Sequence, residues 1–143
     1  MKEPIYLDYN ATTPIHPEVA NAMRPYLEDV FGNPSSSHAF GWKAREAVDK
    51  ARQQVADLLG CDTGEVIFTS GGSESNKTAI KGDAFAQEQL GRHIITSAIE
   101  HPATLNVCEF LERRGWKVTR VPADEFGRVS VEDVQSAITV SYT

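Results

Sequence analysis

The sequence contains only two cysteines, Cys61 and Cys108, and they lie too far apart along the chain to form a Cys-x-x-Cys pair. Neither has a histidine or a second cysteine beside it, which argues against a zinc site. Cys108 falls on the apolar side of a predicted helix, and no basic residue adjoins Cys61, so neither is predicted to be a nucleophile. A disulfide is not favoured because the sequence shows no secretory signal. We therefore expect no metal and no cysteine chemistry from these residues.

Long apolar runs and an excess of positive charge are also missing. No run approaches the roughly 20 residues of a membrane span, and the N-terminus has neither an apolar signal core nor a small-residue cleavage site. We therefore expect a cytoplasmic protein with no membrane partner. The net charge is -6 with acidic and basic residues interspersed, which argues against nucleic-acid binding. With 143 residues, 41% of them hydrophobic, the chain is long enough for a domain with its own core.

Strands and helices alternate in the later part of the sequence. Apolar runs predict strands at residues 65–69, 93–96 and 117–121, and each is followed by helical periodicity. This order predicts an α/β fold with a parallel sheet, which residues 61–143 would form as a truncated α/β domain. The predicted helices begin near Ser73, at Pro102 and after Ser130.

Residues 1–60 contain no strong strand signal and are predicted to form a mostly helical arm. A first helix is expected to begin at Pro17, because proline suits the first helical position. Pro25 lies inside its apolar pattern and is expected to kink or end it. A second helix over residues 41–59 has one apolar face and should stop at Gly60.

Two glycines join a predicted strand to a predicted helix in the segment Phe68–Asn76. Glycine lets the backbone turn sharply and approach a ligand, and a helix start offers free N–H groups and a partial positive charge. Gly72 and Ser73 are therefore candidate phosphate-binding residues, with the Ser73 hydroxyl as an added donor. Neither common glycine pattern for nucleotides is present. A plain strand-to-helix turn capped by Ser73 is an equal alternative.

His101 follows another predicted strand, where open α/β sheets bind their ligands. A neutral imidazole at this place can stack on a flat cofactor ring or move a proton. From spacing alone, a histidine that only caps its helix is slightly favoured. The segment Asp8–Pro14 is small and polar, and its residues by themselves indicate a turn without a chemical role.

Four segments occur in an order that resembles cysteine desulfurases of the NifS/IscS type, within the class V aminotransferase group of pyridoxal-phosphate enzymes. They are Tyr6–Pro14, Phe31–His38, Ile67–Asn76 and Glu100–Pro102. The resemblance implies part of the large domain of the aspartate-aminotransferase type of fold (fold type I), with pyridoxal 5'-phosphate as cofactor. Such enzymes are homodimers that take sulfur from L-cysteine as an enzyme persulfide and leave L-alanine. The implied further partner is a sulfur acceptor or an iron-sulfur scaffold protein.

The resemblance also implies roles for individual residues. Gly72 and Ser73 match the positions that bind the cofactor phosphate, although the family usually has threonine at the second of these. His101 matches the histidine that stacks on the pyridine ring and assists proton transfer. Looser matches, on the substrate side of the pocket and in a loop at its mouth, are Asn10, Ala11, Asn33 and His38.

Later motifs of the family are not found in this chain. Those motifs carry the lysine that bonds the cofactor, the aspartate partner of the pyridine nitrogen, the persulfide cysteine and the arginine for the substrate carboxylate. Lys77 and Lys81 are not substitutes, because they lie downstream of the phosphate turn on its own helix. The chain is therefore expected to be an inactive N-terminal fragment. The alternatives are a selenocysteine lyase or another class V enzyme, and a non-catalytic remnant that acts only as a binding or dimerising module.

Overall fold

Two units make up the structure, a computed structural model that describes residues 4–138. The first unit is Met1–Ile67, and the second is Phe68–Thr143, which begins three residues before Gly71. Each unit is built from different elements and is described by itself. Within residues 4–138, no helix is both long and apolar enough to cross a membrane.

Helix α1 (Pro17–Glu28) begins at the predicted proline. The ring of His16 caps it, because Nδ1 accepts a hydrogen bond of 3.4 Å from the backbone N–H of Glu18. Pro25 was expected to kink or end the helix, and it does not end it, since the helix continues for three residues beyond it. Proline removes one backbone donor, but the Pro25 carbonyl still accepts from the N–H groups of the two residues that follow Glu28, at 2.9 and 2.8 Å. These bonds close the last turn.

Helix α2 (Ala39–Leu59) stops at Gly60, as predicted, and starts after His38, two residues before the predicted start. Gly60 has a φ of 68°, the left-handed conformation that favours glycine at a helix end. The predicted apolar face is only partly covered. Ala44 and Ala56 are buried, whereas Leu58 is 84% exposed.

The predicted strand at residues 65–69 is absent from the described structure. Glu65, the first residue of the predicted strand, belongs instead to a short 3-10 helix, Thr63–Glu65. Its carboxylate accepts the backbone N–H of Asp62 at 2.8 Å. The Val66 carbonyl is bound by the guanidinium of Arg52. Strand formation requires a neighbouring strand to complete its backbone hydrogen bonds, and no other described segment pairs with these residues.

The second unit carries a parallel sheet of two strands, β1 (His93–Ser97) and β2 (Lys117–Val121). Their register runs from His93 opposite Lys117 to Ser97 opposite Val121. Helix α4 (Pro102–Glu112) crosses from β1 to β2, and α3 (Gly72–Ala86) packs against α4. The last helix, α5 (Val131–Ala137), begins at Ser130, whose hydroxyl accepts the N–H of Asp133 at 3.1 Å. The predicted α/β order with parallel pairing is confirmed, with two strands described where three were expected.

The core of this unit lies between α4 and the sheet. Val107, Leu111 and Trp116 are buried together, and Leu111 is fully excluded from solvent. The Phe85 ring meets the Trp116 ring edge to face, with centroids 5.6 Å apart. Cys108 is buried as predicted, and burial raises the pKa of its thiol, so it is a core residue rather than a nucleophile.

Two helical glycines provide a matched test of packing in this fold. A Cβ on Gly41 would overlap the Ser36 carbonyl oxygen and lie 2.8 Å from that of Asn33, whereas a Cβ on Gly82 would have no neighbour within 4 Å. We expect Gly41→Ala to destabilise the chain by about 1–3 kcal/mol through overpacking. Gly82→Ala should stabilise it by up to about 1 kcal/mol, because alanine favours the helix. Urea unfolding followed by circular dichroism measures both, and a stabilising Gly41→Ala would contradict the packing described for this loop.

Candidate functional site

The start of α3 presents backbone N–H groups to solvent. Gly71 is the N-cap, and no side chain caps the helix. The Gly71 carbonyl accepts the N–H groups of Glu74 and Ser75, each at 3.1 Å. The N–H groups of Gly72 and Ser73 come too early to bond within the helix, and no acceptor for them lies among residues 4–138. This turn therefore offers two donors and the positive end of the helix dipole to an anion.

Ser73 is exposed, and its hydroxyl has no hydrogen-bond partner in the described part of the chain. The alternative in which Ser73 caps the helix is wrong, because Gly71 is the cap and Ser73 is the second helical residue. Gly72 needs no unusual backbone conformation, and a Cβ built there would have nothing within 4 Å. A side chain at Gly72 would therefore not strain the turn, and only a ligand in the open space would be crowded by it.

The hydroxyl groups of two residues fix the conformation of the turn. Thr69 Oγ1 and Ser75 Oγ lie 2.6 Å apart, and each lies within hydrogen-bond distance of the Gly71 carbonyl oxygen, at 3.2 and 3.3 Å. Because each hydroxyl has one proton, one of them donates to the other, and the second donates to the carbonyl. These bonds fix the position of the Gly71 carbonyl, and the free N–H groups of Gly72 and Ser73 follow it in the chain. The sequence reasoning missed this cluster, although hydroxyl residues on both sides of the two glycines were a visible signal.

Glu74 is also part of the turn. Its carboxylate accepts the hydroxyl of Ser70 at 2.6 Å and the backbone N–H of Ser70 at 2.7 Å. These hydrogen bonds, from the hydroxyl first and the N–H second, lower the pKa of Glu74 below its ordinary value. A negative side chain in the first turn also favours the helix dipole.

His101 is the N-cap of α4, four residues beyond the end of β1. Its Nδ1 accepts the backbone N–H of Ala103 at 3.0 Å. This bond requires an unprotonated Nδ1, so the ring proton lies on Nε2. The cap that spacing alone favoured is present, and it fixes an exposed ring with a free donor at the carboxyl edge of the sheet.

The starts of α3 and α4 lie next to each other. Asn76, in the second turn of α3, donates from Nδ2 to Thr104 Oγ1 in the first turn of α4, at 3.5 Å. The structure therefore brings the turn of Gly72 and Ser73 to the same end of the second unit as His101.

The four looser candidates all belong to the first unit. Asn10 and Ala11 lie in a turn in which the N–H of Ala11 donates to the Asp8 carbonyl at 3.0 Å. Asn33 forms a local turn through its side-chain oxygen, which accepts the N–H of Ser35 at 2.9 Å. His38 caps α2 through Nδ1, which accepts from Gly41 at 3.4 Å. These contacts shape two loops, and all four residues are exposed.

Comparison with known proteins identifies the family. A sequence model described as aminotransferase class-V matches residues 5–143. The chain belongs to the class V aminotransferase family. A class V relative, the cysteine desulfurase IscS of Dictyoglomus turgidum, is 51% identical over 138 residues, which are 96% of this chain and 35% of that protein. The chain thus spans about a third of the length of the curated relatives it matches.

Solved structures agree with this assignment. A structure titled NifS-like protein superposes with a TM-score of 0.87 at 37% identity, over 97% of this chain and 38% of that one. SspA in complex with cysteine superposes with a TM-score of 0.84 at 44% identity, over 94% and 39% of the two chains. The predicted resemblance to cysteine desulfurases and the predicted fold class are confirmed. Dependence on pyridoxal phosphate is a property of this class V group.

The lowered pKa of Glu74 predicts a pH-dependent contribution to stability. Because the folded pKa is depressed, the contribution is present above the ordinary glutamate pKa of about 4.3 and is lost as the pH falls through the lower folded value. We expect Glu74→Gln to lower the melting temperature at pH 7, with the difference from the parent chain vanishing in strong acid. Differential scanning calorimetry from pH 7 to pH 2 measures this difference.

The control is Glu125→Gln, which removes an exposed glutamate to which no described residue bonds. It should leave the melting temperature unchanged throughout. A Glu74→Gln difference that persists unchanged into strong acid would show that the Ser70 bonds do not depend on the ionised carboxylate.

Proposed function

We propose that this chain supplies the phosphate-binding side of the cofactor site in a pyridoxal-phosphate-dependent cysteine desulfurase. The observation that carries the proposal is the open start of α3, where Gly72 and Ser73 offer donors that no described residue occupies. That turn belongs to a class V chain that is about half identical to proteins named cysteine desulfurase. The reaction converts L-cysteine to L-alanine and leaves the sulfur as an enzyme persulfide.

The residues at the turn fit a phosphate group. Two backbone N–H groups, the Ser73 hydroxyl and the helix dipole all favour a dianion at this place. The space beside Gly72 is empty to 4 Å, so the phosphate can approach the backbone closely. The Thr69 and Ser75 hydroxyls hold the turn in shape, so little ordering remains to be done when the cofactor binds.

His101 fits the ring end of the same cofactor. Its Nδ1 is held by the N–H of Ala103, which fixes the plane of the imidazole and leaves the Nε2–H and the ring face exposed. A fixed flat ring can stack on the pyridine, and Nε2 can give up or take a proton at the substrate end. Bound pyridoxal phosphate supplies the electron-withdrawing ring on which bonds to the substrate α-carbon are weakened.

The remaining parts of the proposal concern the whole enzyme. Asn10 and Ala11 are assigned to the substrate end of the pocket, and Asn33 and His38 to a loop at its mouth. L-cysteine as substrate is supported by the similar SspA, whose structure is titled as a complex with cysteine. The enzyme is a cytoplasmic homodimer that passes its sulfur to an acceptor or to an iron-sulfur scaffold protein.

The 143-residue chain alone should not release sulfur from cysteine. It contains no Ser-x-His-Lys segment to bond the cofactor, and loss of a covalent catalytic group costs orders of magnitude in rate. The measurement is cysteine-dependent sulfide release by the purified chain with added pyridoxal phosphate. Release well above that of free pyridoxal phosphate would refute this part of the proposal.

The residue assignments can be tested in a chimaeric enzyme in which this chain replaces the matching third of the Dictyoglomus turgidum protein. Ser73→Ala should weaken cofactor binding roughly tenfold or more, since a hydrogen bond to a charged group is worth about 1.5–3 kcal/mol. Ser73→Thr keeps the hydroxyl and is the matched control. His101→Ala should mainly slow turnover and change the cofactor absorbance, because the phosphate anchor remains. Cofactor titration by absorbance decides the assignment, which fails if His101→Ala alone loses the cofactor.

Gly72→Ala separates a ligand effect from a folding effect. The new methyl group would meet no protein atom within 4 Å, so the melting temperature of the cofactor-free chimaera should not fall. Cofactor affinity should fall, because the methyl group would occupy the space assigned to the phosphate. Unchanged affinity in Gly72→Ala would place the phosphate elsewhere.

A further inference from the structure

A cleft lies at the opposite edge of the sheet from His101. Arg92 directly precedes β1 and Trp116 directly precedes β2, so both lie at the amino ends of the parallel strands. With Phe85 from the end of α3, Glu88 from the turn that follows it, and Arg114, they line an open cleft of about 530 Å³. His101 follows the carboxyl end of β1, so the cleft is separate from the proposed cofactor site.

Aromatic rings hold the cations of this cleft in place. The Arg92 guanidinium carbon lies 5.1 Å from the centre of the Trp116 ring, and that of Arg114 lies 4.6 Å from the centre of the Phe110 ring. Lys81 does not line the cleft but lies beside it, with Nζ 3.5 Å from the same Phe110 centre. Such contacts attract a cation to the ring face and reduce the side-chain entropy that a partner would have to remove.

Only one of these three cations is paired with a carboxylate in the described part of the chain. Glu88 pairs with Arg92, whereas Arg114 and Lys81 have no carboxylate partner among residues 4–138. The nearby Glu112 is already bound by both terminal nitrogens of Arg120, at 3.1 and 2.9 Å. In a chain of net charge -6, this group of cations is opposite in sign to the whole.

We propose that this cleft binds an acidic segment of a partner protein, with one carboxylate on the unpaired Arg114 and another on the Arg92 nitrogens that Glu88 does not hold. The cations are distributed over two rings, so carboxylates spaced along an extended segment match them better than one small anion does. The planar guanidinium takes a carboxylate through two parallel hydrogen bonds. Phe85, 42% exposed at the cleft, adds an apolar contact between the charges. This site does not depend on the cofactor or on the proposed reaction.

The test uses the full chain and a fluorescently labelled hexaglutamate peptide, with binding followed by anisotropy at low salt. Arg114→Glu should weaken binding about tenfold or more, because it replaces a charge-assisted hydrogen bond with repulsion. Arg114→Lys keeps the charge but loses the planar fork, and should bind with an intermediate affinity. Lys43→Glu, at an exposed lysine of α2, makes the same change of charge away from the cleft and should bind within about twofold of the parent chain.

Three results would overturn the proposal. The first is equal weakening by Lys43→Glu and Arg114→Glu, which would mean that only net charge matters. The second is a labelled single-stranded oligonucleotide that binds more tightly than hexaglutamate and loses its affinity in Arg114→Glu. The third is competition by inorganic phosphate at the same concentration as hexaglutamate. A far-UV circular dichroism melt of each variant ensures that the comparison is made between folded chains.

Discussion

The parallel pairing of β1 with β2 is the constraint on which the second unit depends. A parallel pair needs a crossover, and α4 provides it while burying Leu111 against the sheet. The same crossover gives the unit two different edges. At the carboxyl edge the chain enters α4 through His101, and α3 starts beside it, so backbone N–H groups face outwards there. At the amino edge the strands are preceded by Arg92 and by Trp116. One pairing therefore separates a place suited to a phosphorylated cofactor from a place suited to carboxylates of another protein.

The turn before α3 shows how a small group of residues prepares a binding surface. A capping side chain would have satisfied the first N–H groups and closed the site, but the cap position is Gly71, which has none. The order that a capping side chain normally supplies comes instead from the hydroxyls of Thr69 and Ser75 on the Gly71 carbonyl. The donors of the turn therefore remain available, although its backbone is fixed. At this helix start the side chains that fix the backbone are therefore different from the N–H groups that remain open to a ligand.

Much of this fold could be predicted from the sequence, and the failures have physical causes. The strand at residues 117–121 was predicted at its observed bounds, and the helix end at Gly60 was predicted because a left-handed glycine is a local requirement. Residues 65–69 have the composition of a strand, but a strand depends on a partner that local sequence does not reveal. The hydroxyl cluster and the Asn76–Thr104 bond are tertiary contacts, so no periodic pattern indicated them. The role of Arg92 was invisible for the same reason, because it lies 24 residues from Trp116 in the chain and meets it only through the sheet.

Histidine is an uncommon choice for a helix cap, and the structure uses it at the starts of α1, α2 and α4. In each case Nδ1 accepts a backbone N–H, from Glu18, Gly41 and Ala103 respectively. The bond uses the lone pair of Nδ1 and leaves Nε2 and the ring face outside the helix. All three histidines are exposed. One side chain therefore satisfies a backbone donor at each helix start and still presents an aromatic ring at the surface.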